Sequence, residues 1–114
     1  MSLDVYLTSE PCPSCGRADD EFYWANITHN LNKMAEAAEI YKALWRPEEI
    51  GVDLASDLVP ILTKGIKSLK SNPEYYKKFN ASNGWGMYEN FVTFVEKYLE
   101  ACLKHPESYV RVSR

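Results

Sequence analysis

Residues 3 to 8 alternate in character: Leu3, Val5 and Leu7 are apolar, and Asp4, Tyr6 and Thr8 between them carry polar atoms. Successive side chains of a strand point to opposite faces, so this pattern specifies a strand with one face buried. The tail, Tyr109 to Ser113, alternates in the same way and reads as a strand docked beside the first. A further strand is expected at about Phe22 to Thr28, which is rich in aromatic and β-branched residues. Between the first two, Ser9 to Asp20 holds two prolines, a glycine and adjacent aspartates, which makes a long hairpin connection.

The middle of the chain has a different period. Asn30 stands at an N-cap position, and Leu31, Met34, Ala35, Ala38, Tyr41 and Trp45 follow at helical spacing. Arg46-Pro47 stops this helix, because the residue before proline is pushed out of the α region. Asp53 is the expected cap of a second helix whose core side is Leu54, Leu58, Ile61, Leu62, Ile66 and Leu69, with Pro60 expected to kink or split it. Asn72-Pro73 opens a short third helix, Glu74 to Phe79, and a fourth runs from about Met87 to Lys104, with Met87, Phe91, Phe94, Val95, Tyr98 and Cys102 on its buried side. The expected fold is α+β: a small three-stranded antiparallel sheet, made of the N-terminal hairpin and the C-terminal strand, packed on one face by three to four helices. No repeat or linker divides it, so residues 1–114 form one domain.

With 114 residues, 46% hydrophobic and 25% charged, the chain can bury a core without staples. Apolar runs are too short to span a bilayer, and Met1 to Asp4 has no signal-like basic or hydrophobic region, so a cytoplasmic protein without membrane attachment is expected. A net charge of −3 argues against nucleic acid as partner, which needs several cations focused on one face. Lys64, Lys67 and Lys70 fall on one helical stripe and read as a solvated face.

Parity then dictates the open face of the sheet. With Leu3, Val5, Leu7, Ala25, Ile27, Val110 and Val112 turned to the helices, the other side shows Asp4, Tyr6, Thr8, Phe22, Trp24, Asn26, Thr28, Tyr109 and Arg111. Four aromatics on an open face are more than a monomer usually leaves to water. Homo-oligomerisation through this face is therefore expected, with cross-strand aromatic pairing as the plainer account.

Cys12-Pro-Ser-Cys15 offers two thiolates, but a closed zinc site takes four ligands. His29 with Cys102 or His105 could complete it from distant elements, or the same pair from a second chain could, so no cofactor is assigned and zinc on Cys12 and Cys15 stays an alternative. A redox role fails on context, because no amphipathic helix follows the pair. His29 with a nearby acid would be the hydrolase-like alternative, yet no nucleophile elbow or phosphate-cradling loop accompanies it.

The residues best suited to a ligand gather at the junction of the second strand and first helix and in two tryptophan-bearing loops. Asn26, Thr28, His29, Asn30, Arg46 and Asn83 supply donors and acceptors, and Trp45, Trp85 and Tyr88 supply flat surface. Such a set suits a nucleotide-like or amide-bearing ligand.

Leu3-Asp-Val-Tyr-Leu-Thr8, Trp24-Ala-Asn-Ile-Thr-His-Asn-Leu31, Leu44-Trp-Arg-Pro-Glu-Glu-Ile-Gly51, Asn83-Gly-Trp-Gly86 and Val110-Arg-Val-Ser-Arg114 resemble a family of small hypothetical proteins from bacteriophages, prophages and bacteria. The resemblance covers nearly the whole chain, with the Cys12–Cys15 loop as a part that differs widely between such proteins. It implies an accessory protein acting in the host cytoplasm. The expectation is a non-catalytic binding protein that recognises a host protein or a small nucleotide-like ligand, with a zinc-stabilised interaction module and a His29 hydrolase as the alternatives.

Overall fold

The computed structural model describes residues 2–10, 13–15, 20–80 and 87–114. Three strands, β1 (Ser2–Thr8), β2 (Glu21–Thr28) and β3 (Tyr109–Ser113), form one antiparallel sheet in the order β2-β1-β3. The helices are α1 (Asn32–Ala37), α2 (Tyr41–Trp45), α3 (Ala55–Ser71), α4 (Pro73–Lys77) and α5 (Tyr88–Lys104), with 3-10 turns at His29–Leu31 and Pro47–Ile50. The α+β class and the three-stranded sheet read from the alternation are those found. No helix among the described residues is long and apolar enough to cross a membrane.

The inner face of β1 anchors the core: Leu3, Val5 and Leu7 are wholly buried. Each such side chain contributes roughly 1.5–3 kcal/mol when taken out of water. Opposite the sheet, α3 and α5 pack together through Leu58, Leu62 and Leu69 on one side and Phe91, Val95 and Tyr98 on the other. Pro60 leaves α3 uninterrupted. It is the sixth residue of the helix and exposed, as is Ser56, so the carbonyl that loses its donor to the proline is left on the solvent side. Asp57, not Asp53, caps this helix: its Oδ2 accepts from the backbone N–H of Asp53 (3.2 Å) and of Leu54 (3.1 Å).

The helix expected over residues 31–45 is broken in two. Ile40 N–H donates to the Ala35 carbonyl and Glu39 N–H to the Glu36 carbonyl, with Glu39 at φ 63°. This is a Schellman stop with a left-handed residue after the helix. Ile40, Ala43, Leu44 and Trp45 are all buried, as are Leu31, Met34 and Ala35. One straight helix would bury a single stripe and leave part of this set in water. The break re-aims the second half.

A bulge between Leu7 and Thr8 also disturbs the parity of the hairpin. Thr8, expected on the open face, is buried, and Phe22 stacks on His105 with ring centroids 5.1 Å apart. Trp24 stays where parity puts it, 53% exposed and paired across the sheet with Tyr6.

The two edges of the sheet end differently. At β3, the Val110 N–H donates outward to the Asp53 carbonyl (2.9 Å), and Leu54 bridges Tyr109. Arg114 Nη1 reaches the Trp45 carbonyl and Glu48 Oε1, each at 2.7 Å. That edge is closed at Tyr109 and Val110. Along β2, no backbone group bonds outward to another described residue.

Two stability predictions follow from this packing. A Cβ at Gly65, inside α3, would lie 2.5 Å from Ile40 Cγ2. Gly65→Ala should therefore cost about 1–2 kcal/mol in urea unfolding despite alanine's helix propensity, with part recovered when Ile40→Leu removes the β-branch. Glu39→Gly should instead raise stability by about 0.5–1 kcal/mol, because glycine adopts positive φ without steric cost; an unchanged midpoint would contradict the strained stop.

Candidate functional site

A groove of about 1070 Å³ runs between the free side of β2 and the adjoining face of α5. Four residues expected at the site meet there: Asn26, Thr28, His29 and Asn30 line it where β2 passes into the first 3-10 turn. Thr28 fixes this turn. Its backbone is extended (φ −72°, ψ 145°) and its Oγ1 accepts from the Asn30 N–H at 3.3 Å. Asn26 is held from the other side, its Nδ2 donating to Asp4 Oδ1 at 2.7 Å.

The opposite wall comes from α5. Asn90, Thr93, Phe94 and Lys97 recur at positions i, i+3, i+4 and i+7, one face of a helix. Sequence reasoning assigned Phe94 to the core and passed over its polar neighbours. The signal was present: three polar residues in register with an aromatic at the border of an apolar stripe. Lys97 is the one cation lining the groove among the described residues, and no ion pair engages it there.

The floor is aromatic. Tyr23 lies nearly parallel to Tyr98 (6.0 Å, 12°), and Phe94 tilts against Tyr98 at 6.0 Å. Burial pushes the Tyr98 hydroxyl well above its ordinary range and raises Tyr23 too, with Cys102 adding to both. Behind the turn, His29 meets the edge of Trp45 (6.1 Å, 83°), and Trp45 stacks on Tyr41 (5.4 Å). His29 Nε2, Trp45 Nε1 and the Tyr98 hydroxyl are buried with no hydrogen-bond partner among the described residues. Such groups cost free energy, and all three lie in or behind the groove lining.

The remaining expected residues separate from this cluster. Trp45 supports His29 from inside without lining the groove. Arg46 extends to Glu49 Oε2 at 3.2 Å on the other side of that helix end. Tyr88 is buried between α3 and α5, its hydroxyl donating to the Leu69 carbonyl at 2.7 Å, which is a packing role. Asn83 and Trp85 lie outside the described residues, and so does Cys12. Cys15 is exposed; among the described residues no three His, Cys, Asp or Glu side chains are grouped to hold a metal.

Comparison with protein-family profiles, with curated proteins and with solved structures finds no match to this chain. The groove geometry alone bears on what the site does.

Cys102, beneath the floor, gives a pH signature. Burial lifts its thiol from 9.0 to about 12. Between those values the unfolded chain has lost the proton that the folded chain keeps, so stability must fall as pH rises from about 9 upward. Tyr23 and Tyr98 act in the same direction from higher pH. The urea midpoint should decline above about pH 9, less steeply in Cys102→Ala, and iodoacetamide at pH 8 should modify Cys15 while sparing Cys102 in peptide mass spectra.

Proposed function

We propose that this chain is a non-catalytic binding protein, an accessory component of the kind phages and prophages carry, and that its recognition site is the β2–α5 groove. One observation carries the reading: amide, hydroxyl and ammonium groups from two elements converge on a single aromatic-floored groove of about 1070 Å³. Concave, largely apolar sites with a few convergent polar groups are where ligands bind.

Two features favour binding over catalysis. His29 is the histidine at the groove, and its Nε2 is turned into the protein interior behind the lining. A general base must instead reach the proton that it abstracts. Cys102 lies under the floor with a thiol that stays protonated through the physiological range, which suits packing and not nucleophilic attack.

The candidate ligands are a segment of a host protein and a nucleotide-like molecule. Length favours the protein: the lining follows β2 from Tyr23 to Thr28, about 20 Å of extended chain. Self-association has support of its own in Trp24 and Tyr6, which face outward side by side on the open sheet.

Titrating the 15N-labelled protein with mononucleotides and with peptide mixtures tests the assignment. Amide shifts should cluster at residues 23–31 and 90–97. The groove-filling change Thr93→Trp, at an exposed position, should weaken binding by about tenfold or more and leave the melting temperature close to that of the parent. Shifts confined to the open sheet face, around Tyr6 and Arg111, would overturn the groove as the recognition site.

A further inference from the structure

We propose that the groove receives an extended, acidic segment of a partner protein, added as a fourth strand to the free edge of β2. The inference rests on the groove being the recognition site.

The direction of the backbone groups on β2 follows from one bond on the far side of the sheet. Val110 points its N–H away from β1, toward Asp53. Its partner Leu7 therefore makes no ladder bonds with β3 and turns its N–H and C=O toward β2 instead. Leu7 pairs with Tyr23, Val5 with Ala25 and Leu3 with Ile27, so these three residues of β2 bond inward. Alternation leaves the N–H and C=O of Trp24 and Asn26 and the N–H of Thr28 pointing out along the groove, the Thr28 carbonyl being taken by the 3-10 turn that it caps.

Natural sheet edges are usually blunted by lysine, proline or a covering segment. The edge at β3 is closed at Tyr109 and Val110 by the segment before α3, whereas β2 carries neither lysine nor proline, and its single charge is Glu21 at its first residue. An added strand would satisfy the three outward amides and the carbonyls of Trp24 and Asn26. Its alternate side chains would enter the groove over Tyr23 and Phe94, and the others would lie beside Trp24 on the open face. Lys97 stands on the opposite wall with no ion pair among the described residues, and Asn90 and Thr93 share its stripe. A carboxylate on the incoming segment complements this wall.

The test is an array of randomised peptides of about seven residues, enough to span the edge, probed with the full chain. Binders should alternate apolar residues and carry Asp or Glu at a fixed position. On binding, the amides of Trp24, Asn26 and Thr28 should exchange with solvent about tenfold more slowly or less still, and Lys97→Glu should weaken the peptide by about tenfold. N-methylating alternate peptide nitrogens probes the backbone bonds with no change to the protein: one set should abolish binding and the other leave it intact. Peptides that bind the groove without protecting those amides would overturn strand addition and leave the groove reading standing. Mononucleotides that shift groove amides when no peptide binds would do the same. If no peptide or nucleotide moves a groove residue, both readings fail. A concentration-dependent dimer that protects the three amides without peptide would give the edge to a second copy and overturn the proposal.

Discussion

β1 is hydrogen-bonded on both sides, and its inner face is entirely removed from water. Every other element takes its place relative to this strand. Because β1 is central, β2 and β3 must be edges. The residues just before α3 close the β3 edge through Asp53 and Leu54, helped by Arg114. The chain thus uses its connecting segments on one side of the sheet and leaves the other side beside α5. The groove is a consequence of that unequal covering.

A second constraint acts behind the groove. The stop at Glu39 turns the chain so that α2 drives Leu44 and Trp45 inward, under the turn that begins at His29. The turn itself is short, because Thr28 ties back the Asn30 N–H. The result is a packed corner with two ring nitrogens buried beside it and without a hydrogen-bond partner among the described residues. Packing at such a corner holds Asn26, Thr28 and Asn30 at the mouth of the groove, which is the preorganisation that a binding site needs.

Much of the scaffold was legible because its periods are simple. Leu3, Val5 and Leu7 could alternate in no other element, and β3 begins and ends where the alternation of Tyr109–Ser113 does. The helical spacing of Phe91, Val95, Tyr98 and Cys102 likewise marked the buried side of α5. The failures have local causes. A left-handed glutamate gives no sign of itself in sequence, since glycine or asparagine usually marks that conformation. Asp53 and Asp57 offer the same carboxylate, and only the approach of the chain decides which one bonds the free N–H groups. The bulge at Thr8 shifted Phe22 because its position depends on how a long loop returns. Of the residues expected at the site, Asn26, Thr28, His29 and Asn30 line one groove because they are near neighbours in the chain. Arg46 and Tyr88 went elsewhere: a salt link and a buried carbonyl claimed their polar ends.

By itself the sequence determined the elements and their faces, because hydrophobic period records which side of a strand or helix must leave water. It also determined that no strong charge field or motif with known chemistry dominates the molecule. Only the tertiary structure decided which sheet edge has no outward backbone bond among the described residues and which polar residues of α5 stand beside it. Those outcomes depend on how segments sixty or more positions apart are brought together, as Asn26 and Asn90 are on the walls of one groove, and no local pattern encodes a distance of that kind.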